Sequence, residues 1–318
     1  GLDVASLFVV ALAVGLVAGV VALGRGHMRE HPGLLAVTGI VLAAALAVVV
    51  SLAVGGRDPY GDAFAAIDGP APATASALDP AAAGAYEVVS LSYGFGENTR
   101  RREFGSDRDL VSRSVDASRI LPEWKGIRKR MRERYWGFGI DEAPLNGLVW
   151  APRGEGPFPL VLIVHGNHGM EDDSDPGYAY LGELLASRGF IAVSVDENYI
   201  NGSWSGDFRG KEMAARAWLL LEHLSLWRDW NEDSTHRFGG RVDMARIALI
   251  GHSRGGEAVS IAHAFNDLPS FPDDATMPFD YGFEIRSLVA IAQVDQRYHR
   301  RVELENVNFL TVHGSWDS

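Results

Sequence analysis

Residues 246–258 read Arg246-Ile247-Ala248-Leu249-Ile250-Gly251-His252-Ser253-Arg254-Gly255-Gly256-Glu257-Ala258. The apolar run Ile247 to Ile250 is too short for a helix and suits a strand buried on both faces, so a strand is expected over Arg246 to Ile250. Helical periodicity then runs from Gly256 to Phe265. Between the two lies a Gly-x-Ser-x-Gly turn, so tight that its flanking positions must lack side chains, a demand that Gly251 and Gly255 meet. Such a turn lifts the Ser253 hydroxyl above the strand ends, at the N-terminus of a helix whose dipole favours developing negative charge. The strand before and the helix after are the context this motif requires.

Working outward, apolar β-rich runs alternate with helical patterns from Tyr86 onward, which predicts a largely parallel sheet covered by helices. Leading strands are expected at Glu87 to Tyr93 and Leu145 to Ala151, then Pro159 to Val164, ending at His165-Gly166-Asn167-His168-Gly169. A helix over Tyr178 to Arg188, a strand over Phe190 to Val195 and a long helix over Lys211 to Asp229 follow. Leu288 to Ala292 and Asn308 to Val312 supply two later strands. No internal repeat is present.

With these elements in place, the chain from about Leu145 to Asp317 resembles an α/β-hydrolase. Its elbow Gly251-His252-Ser253-Arg254-Gly255-Gly256 is similar to that of chlorophyllases, and more loosely to platelet-activating-factor acetylhydrolase and cutinase-like esterases. The resemblance implies serine esterase or lipase chemistry, with Ser253 as nucleophile and an oxyanion hole built from the backbone N–H groups of Asn167 and Arg254. It does not imply chlorophyll as substrate. The acid it implies is Asp317, in Leu310-Thr311-Val312-His313-Gly314-Ser315-Trp316-Asp317, with Asp295 as runner-up because some relatives place the acid one strand earlier. Chain order in the family is Ser, acid, His, which places the catalytic histidine beyond residue 318. Residues 1–318 are therefore expected to be inactive or nearly so, the front part of a longer protein in which further spans could precede Gly1. His252, beside the nucleophile, and His313 are expected to be structural; His223, His236 and His263 have no motif behind them.

Composition sets outer bounds. The formal net charge of -12 disfavours nucleic-acid binding, which needs cationic surface to neutralise phosphates. With no cysteine, disulfides, thiolate metal sites and a cysteine nucleophile are excluded. Val4 to Gly24 and Leu34 to Gly56 are uncharged runs of 21 and 23 residues, each long enough to cross a bilayer core as a helix. A transmembrane hairpin over residues 1–57 is therefore expected, with Gly15 and Gly19 spaced for close helix packing. The connector Arg25 to Gly33 carries Arg25 and Arg29, whereas no Lys or Arg occurs between Arg57 and Arg100. The positive-inside rule then puts the connector in the cytoplasm and the soluble domain, residues 86–318, on the extracytoplasmic side. Residues 58–85, rich in Ala, Pro and Gly, read as a flexible tether.

Three features stay open at this stage. The loop His165 to His168 with Glu171, Asp172, Asp173 and Asp175 offers imidazoles and carboxylates to a metal, but without an established ligand spacing, so no metal and no cofactor is expected. Tyr178, Tyr180, Tyr199, Trp204 and Phe208 fall where α/β sheets place ligands; of these Tyr199 and Trp204, with His168, are candidate pocket residues, and core packing is the competing account. Arg100 to Arg134 carries 12 basic and 6 acidic residues, a locally cationic insertion that reads as a solvated surface or as a contact for anionic lipid headgroups. The expected reaction is hydrolysis of a hydrophobic or lipid-like carboxylic ester. The alternatives are an acyltransferase with the same nucleophile and a non-catalytic interaction module that keeps the hydrolase shell.

Overall fold

The computed structural model describes residues 79–98, 100–204 and 206–314. The two apolar runs expected to span a membrane, most of the tether and Asp317 lie outside the described residues. Among the described residues no helix is long and apolar enough to cross a membrane.

Among the described residues twelve strands form in chain order: β1 (Val88–Gly94), β2 (Leu110–Val111), β3 (Ser114–Val115), β4 (Ala143–Pro144), β5 (Gly147–Pro152), β6 (Phe158–Val164), β7 (Ile191–Val195), β8 (Val242–His252), β9 (Ser270–Phe271), β10 (Asp274–Pro278), β11 (Ile285–Ile291) and β12 (Asn308–Val312). Four α-helices accompany them: α1 (Gly126–Trp136), α2 (Ala179–Ser187), α3 (Met213–Glu232) and α4 (Arg254–Asn266). Eight of the strands make one sheet in the order β12-β11-β8-β6-β7-β5-β1-β2. Within that sheet, among the described residues, only the pairings of β5 with β1 and with β7 are antiparallel.

The central strands β6 and β7 are apolar along nearly their whole length because helices cover both faces of the sheet. Thus Leu160, Leu162 and Val164 join the large core with the apolar side of α3, while Val161 and Ile163 form a smaller cluster with Ile250 on the other face. Register fixes where loops emerge. Val164 pairs with both Gly251 and Val195, and Ile291 pairs with both His252 and Val312, so β6, β7, β8, β11 and β12 all end at one level. The chain leaves β6 for β7 on one side and returns through α3 to β8 on the other. The loop after β6 and the turn after β8 therefore face each other at the point where strand order reverses, the place where open α/β sheets bind ligands.

The cationic segment Arg100 to Arg134 corrects the expectation of a solvated insertion. Phe104, Ile120, Leu121 and Trp124 are core residues, as are Arg101 and Arg132 by burial. Arg101 makes a two-pronged ion pair with the fully buried Asp175, at 3.0 and 2.8 Å. A net charge counted over sequence cannot separate arginines that point to water from arginines that satisfy buried acceptors. Near the other end of the tether, Gly84 and Tyr86 donate backbone N–H groups to the Ser187 hydroxyl and carbonyl at the end of α2, so residues 79–86 are docked on the domain.

Candidate active site

Ser253 sits between β8 and α4 with φ 54° and ψ -119°, a backbone state that L-residues avoid and that costs on the order of 1–3 kcal/mol. Three hydrogen bonds hold it there. Its N–H donates to the Ile291 carbonyl at 2.9 Å, and its own carbonyl accepts from Gly256 at 2.9 Å and Val294 at 3.2 Å. The flanking glycines are demanded by contact: a Cβ at Gly251 would lie 2.0 Å from the Gly255 oxygen, and one at Gly255 would lie 2.5 Å from the Val164 oxygen. The turn leaves Ser253 half-buried at the sheet's C-terminal end, and its hydroxyl has no hydrogen-bond partner among the described residues. A hydroxyl so placed is available to attack a carbonyl carbon once a base takes its proton.

The loop after β6 packs directly on this turn. Gly166 lies so close that a Cβ there would meet the Ser253 Cβ at 2.8 Å. Next along, Asn167 uses its side-chain oxygen to accept the Gly202 N–H at 2.8 Å, and its backbone N–H makes no hydrogen bond among the described residues. Arg254 is the first residue of α4, where backbone N–H groups have no intrahelical acceptor. Its side chain enters an ionic clamp. The guanidinium, 6 % exposed, donates to Asp207 at 3.0 and 2.8 Å and to the fully buried Glu212. The Arg254 hydrogen bonds in turn hold the Asp207 carboxyl down at about 2.

Both loops beside Ser253 thus lean on one segment, residues 199–212, which supplies Gly202 to Asn167 and Asp207 and Glu212 to Arg254. That segment is itself held from the insertion. Arg132 donates to the carbonyls of Tyr199 and Asn201, each at 2.6 Å, and of Gly206 at 3.2 Å. Arg216 adds a hydrogen bond to the Asn201 side-chain oxygen at 2.8 Å, and no sequence signal marked Arg132, Asp207, Glu212 or Arg216 as part of this support.

Beneath the loop lies a buried polar layer. His165 accepts the Glu197 N–H on Nε2 at 3.0 Å, so its proton resides on Nδ1, which donates to the Gly166 carbonyl at 2.7 Å. Burial and the nearby Arg216 cation pull His165 down to about 3, and it is neutral and structural. Glu197 is buried against Arg216 at 2.9 Å; burial pushes it up to about 8. His165 and Asp175 are thereby committed to protein partners, and among the described residues no group of three His, Asp or Glu is disposed to hold a metal.

The remaining candidates fall in different places. Asp295, on the loop after β11, is exposed at the rim of a cavity of about 650 Å³ that Glu257, Gln293 and Phe309 also line. No hydrogen bond joins a histidine to the Ser253 hydroxyl among the described residues. His252 is half-buried with its ring 6.5 Å from that of Tyr178, and His313 is exposed. His223 is buried and bonded to the Tyr93 hydroxyl at 2.7 Å. Of the expected pocket residues, Tyr199 is a correction: it is 1 % exposed and packs edge-on against Phe138, so it offers no surface to a substrate. Phe208 is likewise core, stacked on Trp124. His168 and Trp204 are exposed.

No family model matches the chain. Individual proteins do: the chain is 30% identical over 125 residues to cutinase est2 of Thermobifida alba, covering 39% of this chain and 36% of that one. It is 31% identical over 120 residues to cutinase 1 of Thermobifida cellulosilytica, 38% of this chain and 37% of that one. A bis(hydroxyethyl) terephthalate hydrolase of Streptomyces coelicolor is 29% identical over 122 residues, 38% of this chain and 32% of that one. The matched stretch spans about a third of the length of these relatives. Together with the mostly parallel sheet, the likeness supports an α/β-hydrolase esterase family.

Proposed function

We propose that this protein is a serine ester hydrolase in which Ser253 is the nucleophile, and that it acts on hydrophobic carboxylic esters from a membrane-tethered position on the extracytoplasmic side. The observation that carries the reading is the strained backbone of Ser253, held by three hydrogen bonds between two glycines that tolerate no side chain. Strain of this kind persists where it serves a purpose, and here it presents a half-buried hydroxyl beside two loops with free backbone donors.

In the proposed reaction the Ser253 oxygen attacks the ester carbonyl carbon as its proton passes to a histidine beyond residue 318, oriented by Asp317. The carbonyl oxygen takes up the negative charge and is held by the backbone N–H groups of Asn167 and Arg254, each donor contributing about 3 kcal/mol to lowering the barrier. The alcohol leaves with the proton, and water then hydrolyses the acyl-serine by the same route in reverse. That the relatives are cutinases and a bis(hydroxyethyl) terephthalate hydrolase favours an apolar acyl group. The tether rests on the two uncharged runs at 4–24 and 34–56 and on the cationic connector between them.

The test is labelling of the natural protein with a fluorophosphonate probe, which reacts only with an activated serine. Wild type should label and Ser253→Ala should not; equal labelling of both removes Ser253 from the reaction.

A further inference from the structure

Helix α1 has two faces of unlike chemistry. Arg132 and Trp136 on one side are buried, with Trp124 packed just before the helix, and Arg132 holds the segment beside the candidate site. On the other side Ile127, Arg130, Met131 and Arg134 recur at helical spacings of three and four residues, Met131 half-buried and the other three exposed. Together with Tyr135 and Trp204 they line an open groove of about 740 Å³. Ile127 is 61% exposed and Trp204 72% exposed, an unusual outlay of large apolar surface on a chain otherwise acidic. Arg100 lies over the Tyr135 ring at 4.2 Å, and its Nε donates to the Tyr135 carbonyl. Arg130 and Arg134 make no ion pair or hydrogen bond with the described residues, whereas the charge of neighbouring Lys129 is answered by Glu133 at 3.6 Å.

We propose that this face, built from Ile127, Met131 and Trp204 and rimmed by Arg100, Arg130 and Arg134, docks the domain on an anionic phospholipid bilayer. Tryptophan and aliphatic side chains enter the headgroup boundary while arginine stems lie along it with their charges on lipid phosphates, which is the division this groove offers. Charge complementarity selects the partner: Arg130 and Arg134, with no ion pair among the described residues, are attracted by an anionic surface that repels the rest of a protein of net charge -12, so this face is the one turned toward it. Reach allows it, since 22 residues, Arg57 to Leu78, separate the second apolar run from the described domain, up to about 75 Å of extended chain. Trp204 lies in the segment 199–212 that braces Asn167 and Arg254, so a docked face would bring the candidate site close to the lipid surface. The proposal does not depend on Ser253 being reactive.

The chain contains no cysteine, so Ile127→Cys gives one thiol for an environment-sensitive NBD label, with Leu310→Cys on the exposed strand β12 as the control. The protein, whose reach to lipid rests on the proposed membrane hairpin, is reconstituted through its two apolar runs into vesicles of phosphatidylcholine alone or mixed with phosphatidylglycerol, each containing spin-labelled lipid as quencher. The label at 127 should shift to the blue and be quenched only on the mixed vesicles, and lose both effects in high salt; the label at 310 should not respond. Each cation near an anionic surface favours contact about fivefold, so Arg130→Ala with Arg134→Ala should weaken docking roughly 25-fold at unchanged melting temperature. Equal quenching at 127 on neutral and mixed vesicles, or none on either, would overturn the proposal. So would loss of the label's exposure to soluble polyglutamate without a response to vesicles, which reassigns the face to an acidic protein.

Discussion

Arg132 Nη1 donates to the carbonyl oxygen of Tyr199 at 2.6 Å, and neither side chain reaches solvent. One arginine of the insertion thereby fixes the start of the segment on which both Asn167 and Arg254 depend.

Replacing it tests that dependence. Burial lowers the Arg132 guanidinium to about 10, which still leaves it charged at neutral pH. Arg132→Met would strand the carbonyls of the buried residues Tyr199 and Asn201, whereas the Gly206 carbonyl keeps the Ser203 N–H at 3.2 Å. At about 1–3 kcal/mol for each unsatisfied buried group, a loss of at least about 2 kcal/mol is expected in urea denaturation. Hydrogen exchange at 199–206 should accelerate more than in β6 or β8. A uniform change across the domain would mean that the arginine supports the fold generally and not this segment.

The two carboxylates on Arg254 should differ in weight. Glu212 is fully buried, whereas the Asp207 side chain is 36% exposed and water can replace it. Glu212→Gln leaves a buried guanidinium short of its enclosed counter-charge, and a cost of about 3–5 kcal/mol follows. Asp207→Asn should cost less than half of that. Chemical denaturation of the two variants gives the order directly, and equal costs would contradict it.

Gly255 offers a steric test with an internal control. A Cβ there would meet the Val164 and His165 carbonyl oxygens at 2.5 and 2.7 Å, both backbone atoms that β6 holds in place. Nothing lies within 4 Å of a Cβ at Gly177. Gly255→Ala should therefore lower stability by about 3 kcal/mol or more, and Gly177→Ala should stay within about 0.5 kcal/mol of wild type. Comparable melting temperatures for the two would show that the elbow is looser than its contacts imply.

The framework of this fold is legible in the sequence because its signals are local. The run at 159–164 and the run at 308–312 announce strands by apolar content and length, and the observed strands differ by at most a residue. Ser253 is legible for the same reason, since a turn between strand and helix with two glycines is encoded in five neighbouring positions. The insertion is not legible. In α1 the buried face is Arg132 and Trp136, so the binary pattern that marks an inward helix face is broken by a cation whose partners are carbonyls 67 and 69 residues away. Tyr199 misleads for a related reason: aromatic content says that a side chain is large and apolar, and only the neighbour Phe138 shows that it turns inward.

Histidine burial gives the pH dependence a definite sign. His165 and His223 are both held near 3 by burial, against an ordinary value of 6.5, so the unfolded chain binds protons that the folded chain refuses. Their contribution to stability is complete above pH 6.5 and is lost as pH falls from 6.5 toward 3. Glu197, raised by burial to about 8, opposes this trend over part of the range, so the wild-type profile alone mixes the two. A difference between proteins separates them. His223→Leu removes one proton site and also leaves the Tyr93 hydroxyl without its partner at 2.7 Å, a cost that does not vary across this pH range. The stability advantage of wild type over His223→Leu should therefore shrink by about 1.4 kcal/mol for each pH unit below 6.5, roughly 3 kcal/mol by pH 4.5. Urea midpoints at the two pH values measure it. A constant advantage would mean that His223 accepts a proton inside the folded domain, and that the layer around Tyr93 admits water.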